Sequence, residues 1–530
     1  MSGADQPPFT RLSEAPLWRA HRRFYADRGP EVWAEGVLPS QITTSVATAW
    51  AYANMLVEWL EATAPDPAHP VYVVELGSGP GVLAARLVRE LEALLLPDAP
   101  QVVVVLTDIS EQNLAAWQAD PELAAWARAG RVDFARLDLD APGPLILQCS
   151  NRRLAPGEQP NPVALIANYV LDCVPCDLFR AHGGHLFEVG VRTTRDPETG
   201  AWRLTVRPGE NPVEGGVYDD PLLDGLLATY AAGLPDAWPL VPARFLRTLR
   251  WLMGLGGRGA LLLACDKACR SLEEWGRAGP PHVATHGETA SFLANFHAVE
   301  ALFGEAGGIA MHSRSALNDY TLSAFATGLS APAEARVRRA FRRWLDDFGP
   351  ADAHRLGLHV FGVDPPALRG LLVTLRLAHH DPWVFMRLAD RILAQLPHST
   401  GPLRADLSQA MDEVLARAGQ LALAEDVSFA VGRVLCGLGR SADARACFQR
   451  SLAVDGPHRA TFFNLYVAAA QLGRLDEALG WMAQAIEAEG DAESTAMLAD
   501  ALRQLAEAGV QGPAADGIAS LQRRLSPAPG

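Results

Sequence analysis

The sequence predicts a doubly wound α/β domain with a seven-stranded, Rossmann-like sheet, followed by an all-α domain of helical repeats. Between residues 71 and 330, short apolar runs of β type alternate with amphipathic helical patterns. Such alternation is typical of a parallel sheet that carries helices on both faces. Between residues 421 and 525, small and large apolar residues recur 34 residues apart, which is the period of a repeated helix pair.

The first strand leads into a glycine-rich turn. The apolar run 71–75 ends at an acidic residue, and a helical pattern follows over residues 82–95. A strand, a glycine turn and a helix in this order bring a nucleotide-like ligand against bare backbone, because glycine has no Cβ to hold the ligand away. The residues predicted to contact the ligand here are Glu75, Gly77, Ser78, Gly79 and Gly81.

The turn leaves a dinucleotide open as one possible ligand. A dinucleotide fingerprint needs a third small residue five positions after its first glycine. Counted from Gly77 that residue is Val82, which is too large, but counted from Gly79 it is Ala84, which is tolerated. The turn lacks the Gly-Lys-Ser/Thr ending of a phosphate-binding P-loop, which excludes that class of site.

Polar residues follow the next strands. Further strands are predicted at residues 102–106, 132–137, 163–167 and 259–264, with 309–314 and 320–327 as a terminal antiparallel pair. Asp108, Asp138 and Asn168 come after the first three of these runs, and open α/β sheets bind ligands at the carboxyl ends of their strands. A carboxylate such as Asp108 can accept both ribose hydroxyls of an adenosine. Each aspartate taken alone is also explained as a helix N-cap.

Helices and two covering segments complete the predicted domain. Besides residues 82–95, helices are predicted at residues 47–60, 111–129, 242–255 and 289–303. Residues 1–70 are expected to pack over the cofactor, with Thr43 or Thr44 as an N-cap or a cofactor contact. Residues 185–240 are expected to form a substrate lid built on a β-hairpin, with strands 185–195 and 202–206. The acidic run 218–224 either faces a cationic substrate or is a solvated loop.

The pattern E-x-G-x-G-x-G from Glu75 to Gly81 resembles the first motif of class I S-adenosylmethionine (SAM)-dependent methyltransferases. Residues 166–175 resemble the A-N-E-x-x-D-x-x-P segment of the MidA-like methyltransferases, and residues 295–298 resemble a segment near their last strand pair. This resemblance covers roughly residues 40–330. It implies that the protein is an enzyme, that its sheet is the seven-stranded sheet of methyltransferases, and that its cofactor is SAM.

The same resemblance assigns roles at the strand ends. It implies that Asp108 binds the ribose of SAM and that Asp138 lies near the adenine amine. It also implies that Asn168 and Tyr169 contact the cofactor. Tyr169 stands where the family has an acidic residue, so the arginine specificity of a mitochondrial member is not carried over.

Methyl transfer from SAM needs an acceptor held in line with the methyl group, about 3 Å away. Asp172 is the nearest carboxylate and is predicted to be the base or orienting group, together with Asn168 at the end of the fourth strand. His297 is a second candidate, and a structural role for this histidine is the alternative. No metal site is expected, although Cys173, Cys176, Cys265 and Cys269 could bind zinc as a less favoured alternative.

The helical tail is similar to tetratricopeptide repeats. The triplet 438–440, Leu-Gly-Arg, recurs at 472–474, and Ala444 recurs as Ala478. The glycine is expected to allow close approach of two helices, and the alanine to lie where they cross. Degenerate units are predicted at 381–396 and 402–418, within a helical linker over 331–420, and a capping helix at 491–508. An ordinary helical bundle with a chance repeat is the alternative.

Composition limits the function further. The chain has 530 residues, 49% of them hydrophobic and 20% charged, as expected of folded domains. Its net charge of −15 argues against a broad nucleic-acid surface. No apolar run reaches the length of a membrane span, and the first residues lack a signal-peptide pattern. We therefore expect a cytoplasmic protein with neither nucleic acid nor membrane as a partner.

These observations leave three functional hypotheses. The favoured one is a methyltransferase acting on a nitrogen or oxygen nucleophile of a protein or peptide that the repeats recruit. The second is a methyltransferase of a small metabolite, with the repeats used for oligomerisation. The third is a repeat scaffold whose methyltransferase domain binds SAM without turnover.

Overall fold

A computed structural model describes residues 8–34, 42–97, 99–314, 320–350, 352–353, 367–418, 426–507 and 513–525. The chain divides into two compact units, Met1–Asp352 and Ala353–Gly530. The first unit is mixed α/β with a seven-stranded sheet, and the described part of the second is helical.

The strands of the first unit follow one another in short segments. In chain order they are β1 (Val71–Glu75), β2 (Val102–Asp108), β3 (Val132–Arg136), β4 (Leu145–Ile146), β5 (Arg153–Leu154), β6 (Val163–Asn168), β7 (Asp177–His182), β8 (His185–Arg195), β9 (Trp202–Pro208), β10 (Asp236–Ala237), β11 (Leu240–Val241), β12 (Ala260–Asp266), β13 (Ala268–Cys269), β14 (Ala284–His286), β15 (Thr289–Ser291), β16 (Ala294–Asn295), β17 (Ile309–His312) and β18 (Thr321–Ala326). Every residue of β1, β2 and β12 is buried, which is why these strands read as unbroken apolar runs.

Helices flank these strands. They are α1 (Pro16–Arg28), α2 (Glu31–Ala34), α3 (Val46–Thr63), α4 (Val82–Leu94), α5 (Glu111–Ala119), α6 (Pro121–Arg128), α7 (Pro221–Gly233), α8 (Ala243–Met253), α9 (Leu272–Arg277), α10 (Phe296–Glu305) and α11 (Ala331–Phe341), which a π-helical turn continues over Arg342–Asp346.

The large sheet has the strand order β17-β18-β12-β6-β1-β2-β3. Strands β12, β6, β1, β2 and β3 run parallel, while β18 runs antiparallel to both β12 and β17. The predicted terminal antiparallel pair is therefore confirmed. The chain goes from β1 towards β3 on one side and from β6 towards β12 on the other, so the order reverses between β1 and β6. Ligands of such sheets bind outside the carboxyl ends of the strands at this point.

Two predicted helices are wrong in extent. The segment 111–129 is two helices, because Pro121 cannot continue α5 and the Asp120 carboxylate accepts the backbone N–H groups of Glu122 and Leu123 to begin α6. The segment 289–303 begins with β15 and β16, and α10 starts only at Phe296. In both cases a local break overrides a continuous apolar periodicity.

A second sheet, of order β10-β7-β8-β9 with β11 paired to β7, lies in the first unit. It contains the predicted hairpin, whose strands β8 and β9 pair antiparallel. The acidic run beside it has structural roles: Asp220 caps α7 and pairs with Arg250, and Asp224 accepts the backbone N–H groups of Val217 and Tyr218. These bonds give the run an explanation that needs no cationic substrate.

The second unit contains the helices α12 (Leu368–Leu377), α13 (Pro382–Gln395), α14 (Gly401–Ala418), α15 (Val427–Gly437), α16 (Ser441–Asp455), α17 (Arg459–Gln471), α18 (Leu475–Glu487), α19 (Ala492–Glu507) and α20 (Pro513–Leu525). The pairs α15–α16 and α17–α18 pack together, and Ala444 and Ala478 are fully buried. Two helix pairs thus stand at the predicted spacing, and the tetratricopeptide assignment stays a prediction.

The expected role of the repeated glycine is wrong. Gly439 and Gly473 have left-handed φ values of +84° and +72°, and a Cβ at either position would meet nothing within 4 Å. They end α15 and α17 instead of bringing two helices together. Close approach comes from Gly432, where a Cβ would lie 2.6 Å from the Phe448 ring.

Within the described part of the chain, no helix combines the length and the apolar character that crossing a membrane requires.

Candidate functional site

The glycine turn after β1 is held against the end of β2. Gly77, Gly79 and Gly81 have φ values of +62°, +52° and +78°, a region that residues with a Cβ rarely adopt. The backbone N–H of Ser78 donates to the carbonyl of Thr107 at 2.8 Å, and the Ser78 hydroxyl accepts the Thr107 N–H at 3.2 Å. The Ser78 side chain, predicted to contact the cofactor, therefore ties the turn to β2.

Asp108 lies beside this turn, as the sequence predicted. Its carboxylate accepts the N–H of Gly79 at 3.1 Å and the N–H of Ser110 at 2.9 Å. Burial raises the pKa of Asp108, and these hydrogen bonds oppose that effect. Asp108 and Gly79, which are 29 residues apart, thus form one surface at the carboxyl ends of β1 and β2.

Two buried carboxylates have an oxygen without a hydrogen-bond partner. Oε2 of Glu75 and Oδ1 of Asp172 are both buried and unpartnered. Burial raises the pKa of Glu75 to about 8 and that of Asp172 to about 6. A buried acceptor without a partner costs roughly 1–3 kcal/mol, and a hydrogen-bond donor or a cation at these oxygens would remove that cost.

Asn168, at the end of β6, is held by the N-terminal segment. Its Oδ1 accepts the Tyr52 hydroxyl at 2.8 Å, and its Nδ2 donates to the Thr43 carbonyl at 3.1 Å. These bonds fix the orientation of the carboxamide. The prediction of Thr43 or Thr44 as the N-cap is wrong, because the Ser45 hydroxyl accepts the N–H that begins α3.

Tyr169, next to Asn168, has a left-handed φ of +52°. Its backbone N–H donates to the Cys265 carbonyl at 2.9 Å, and its ring meets Tyr320 edge-on with centroids 6.2 Å apart. A non-glycine residue in this region is strained, and such residues concentrate at functional sites. This left-handed conformation turns the chain directly after β6, beside the predicted cofactor site.

Asp138 is engaged by a residue of α1. Arg22 pairs with both Asp138 and Asp140. Burial of Asp138 opposes ionisation, but the hydrogen bond from Arg22 and the N–H of Asp140 bring its pKa below the ordinary value. A predicted contact of Asp138 with an adenine amine would have to share this carboxylate with Arg22.

His297 belongs to a separate hydrogen-bonded group. Its Nδ1 lies 3.2 Å from the Tyr230 hydroxyl, which also accepts from Nδ2 of Asn295 at 3.0 Å. Asn295 caps α10 and donates to the Leu240 carbonyl at 2.6 Å. Burial lowers the pKa of His297. The hydrogen bond with Tyr230 favours a structural role for His297, and a part in catalysis stays a prediction.

The sequence patterns do not predict a role for three residues near the strand ends. Asp266, at the end of β12, is fully buried and accepts the N–H of Asp172 at 3.0 Å. Tyr25 on α1 lies near Asp172 and Asp108; burial chiefly raises its pKa, and these carboxylates raise it further. Trp33 on α2 lies against Gly79. The two aromatic residues carry no local signal, because their partners are distant in sequence.

The cysteines are free thiols. Burial raises the pKa of Cys173, Cys176, Cys265 and Cys269, which disfavours the thiolate that zinc requires. No group of three or more potential ligand side chains in the described ranges could hold a metal ion.

Comparison with known proteins agrees with this geometry. Residues 51–219 match the model of a family described as "Putative S-adenosyl-L-methionine-dependent methyltransferase". The match spans β1 to β9 and includes the glycine turn, Asp108, Asn168 and Asp172. The cofactor is thus SAM, as the sequence predicted, and a methyltransferase domain is supported.

Two solved structures from Burkholderia thailandensis, both of one superfamily, also resemble the chain. An uncharacterized protein is 18% identical, with 60% of this chain and 93% of that one covered and a TM-score of 0.37. A second member, bound to S-adenosyl-homocysteine, is 17% identical, with 61% and 95% covered and a TM-score of 0.38. No curated protein matches this chain.

Proposed function

We propose that this protein transfers the methyl group of SAM to a nitrogen or oxygen nucleophile on a protein or peptide. The observation that carries the proposal is the pair of buried, unpartnered carboxylate oxygens of Glu75 and Asp172 at the ligand-binding edge of the sheet. SAM is cationic at its sulfonium and at its ammonium group, so it supplies the charge that a buried carboxylate needs. The residues present therefore fit this cofactor.

The roles of the side chains follow from their positions. Bound SAM supplies an electrophilic methyl group: the acceptor–carbon bond forms, the carbon–sulfur bond breaks, and sulfur keeps the electron pair as a neutral thioether. The glycine turn and Asp108 hold the nucleoside, and Glu75 balances positive charge. Asp172 accepts the proton that the nucleophile loses, for which a pKa of about 6 suits a general base near neutral pH. Asn168 orients the methyl acceptor.

The helical unit supports a macromolecular acceptor. Its two helix pairs at a 34-residue spacing are the kind of repeated surface that binds extended partners. We assign recruitment of the protein or peptide substrate to these repeats. The small-metabolite enzyme and the scaffold without turnover remain the competing outcomes of the tests below.

Calorimetry with S-adenosyl-homocysteine tests the cofactor site. Wild type should bind, and Asp108→Ala should lose binding at least a hundredfold, since a bidentate acceptor to the ribose is removed. Asp133→Ala is the matched control: Asp133 is also buried and accepts backbone N–H groups, from Cys149 at 2.8 Å and Ser150 at 3.0 Å, yet it lies near the amino end of β3, away from the carboxyl ends of the strands. Equal affinity in wild type and Asp108→Ala would contradict the site.

Transfer of a radiolabelled methyl group tests the acceptor. Labelled SAM and the full-length protein are added to extract from cells that lack it, with Asp172→Asn as the inactive control. Label in acid-precipitated protein supports the proposal, and label in the small-molecule fraction supports a metabolite acceptor. Cofactor binding without any transfer supports the scaffold.

A further inference from the structure

The Trp33 indole lies on the glycine turn. A Cβ at Gly79 would stand 2.7 Å from Cζ2 of Trp33 and 3.0 Å from Cε2 and Cη2, so the benzene ring of the indole touches the backbone of Gly79. Trp33 also packs near Tyr25, with ring centroids 5.9 Å apart. The two aromatic side chains belong to α1 and α2 and lie over the carboxyl ends of the strands.

The indole fills the space that the absent Cβ leaves open at Gly79. A glycine in a turn after the first strand lets the ligand come close to the backbone. At Gly79 that close approach is made by Trp33 instead. A ligand cannot reach the same face of Gly79 while the indole lies on it.

The two helices that carry Tyr25 and Trp33 are anchored to the first unit to different degrees. Leu17 and Trp18 anchor α1 in the core of the first unit, where both are buried. By contrast, α2 is a single four-residue helix, joined to α1 through Gly29, whose φ is +52°. Among the described side chains of α2 only Val32 is fully buried, so this short helix beyond a glycine can move at a smaller cost in buried contacts than α1.

We propose that Trp33 gates the cofactor site: it closes over Gly79 in the free protein and is displaced when SAM binds. This inference rests on the proposed function and adds regulation of the same site. The gate lowers the apparent affinity by the fraction of molecules that are open, since the cofactor binds the open form alone. Removing the indole should therefore strengthen cofactor binding, whereas removing a residue that lines the bound cofactor would weaken it.

Calorimetry and stopped-flow binding of S-adenosyl-homocysteine to Trp33→Ala test the gate. We expect affinity and association rate to rise about tenfold over wild type, as for a gate that is open one-tenth of the time. Trp126→Ala is the matched control, because Trp126 is also half-buried but lies on α6, where it contacts Arg89 and Glu92; its binding should equal that of wild type. Weaker or unchanged binding by Trp33→Ala overturns the gate and leaves the cofactor site intact. No binding by either protein overturns both.

A second measurement follows the indole itself. In protein labelled with 5-fluorotryptophan, the fluorine resonance of Trp33 is identified by its absence from Trp33→Phe. Saturation with S-adenosyl-homocysteine should move this resonance towards the solvent-exposed position, while the Trp126 resonance stays in place. A Trp33 resonance that does not move on saturation overturns the gate, even if the affinities differ.

Discussion

Left-handed glycines close turns in both units, but their surroundings differ. At Gly79 and Gly81 the Cβ position is crowded, by Trp33 at 2.7 Å and by Leu106 and Trp117 at 3.1 Å. At Gly439 and Gly473 the backbone is equally left-handed, yet a Cβ would meet nothing within 4 Å. The same conformation thus allows close approach at the site, whereas in the repeats it only ends a helix. Crowding, more than φ, separates a glycine of a binding turn from a glycine of a helix terminus.

Alanine at the two kinds of glycine should separate these causes. Gly81→Ala should cost about 3 kcal/mol of stability, because left-handed strain is added to overpacking against Leu106 and Trp117. Gly473→Ala should cost only about 1 kcal/mol, from the strain alone. Urea denaturation of both variants beside wild type measures the difference. Equal costs would show that crowding at Gly81 carries no weight.

Glycines inside the repeat helices extend the comparison to ordinary helical backbone. Gly432→Ala should cost about 2.5 kcal/mol, since its Cβ would lie 2.6 Å from the buried Phe448 ring and overpacking strains the helix pair. Gly480→Ala, in α18 with nothing within 4 Å of its Cβ, should gain about 0.8 kcal/mol from helix propensity. Thermal unfolding should give the two variants opposite signs, and a gain for both would refute the packing role of Gly432.

The buried carboxylate at the site should make stability depend on pH. The folded-state pKa of Glu75, about 8, lies above the ordinary value of 4.5, so its contribution is complete below about pH 4.5 and is lost as the pH rises through about 8. Glu75→Gln should therefore be at least about 2 kcal/mol more stable than wild type at pH 9 and no more stable at pH 4, since each unit of pKa shift corresponds to about 1.4 kcal/mol. Denaturation curves at both pH values measure this difference.

Cofactor binding should also depend on the ionisation of Glu75, but it should favour the ionised form, whereas folding favours the neutral form. Because a cation favours the ionised carboxylate, the affinity of wild type for SAM should rise between pH 6 and about 8, and Glu75→Gln should lack that rise. If the affinity for SAM depends on pH in the same way in wild type and in Glu75→Gln, Glu75 does not belong to the cofactor site.

A small effect is expected at the hydrogen bond that orients Asn168. Tyr52→Phe should cost about 1 kcal/mol, the net value of one hydrogen bond, and should weaken cofactor binding. Tyr72→Phe is the control, since the Tyr72 hydroxyl, on β1, accepts only a longer bond of 3.3 Å from Arg152. If both variants bind the cofactor as wild type does, orientation of Asn168 is not needed for binding.

Periodicity predicted the large sheet well because its central strands are buried on both faces. Strands β1, β2, β6 and β12 begin and end within two residues of the apolar runs that predicted them. Strand β7 escaped detection, since the sequence Asp-Leu-Phe-Arg-Ala-His mixes charged residues into a short run. The break at Pro121 was also missed, because the apolar periodicity continues across it.

The sequence by itself determined the chain order of the strands of the large sheet, the glycine turn and the polar residues at the strand ends. These features are local, since each follows from neighbouring residues and from the burial that a strand or helix face requires. The tertiary structure alone decided that Arg22 pairs with Asp138, that Tyr52 holds Asn168 and that Trp33 lies on Gly79. Each of these contacts joins residues far apart in the chain, and a local sequence pattern does not predict which distant residue will be the partner.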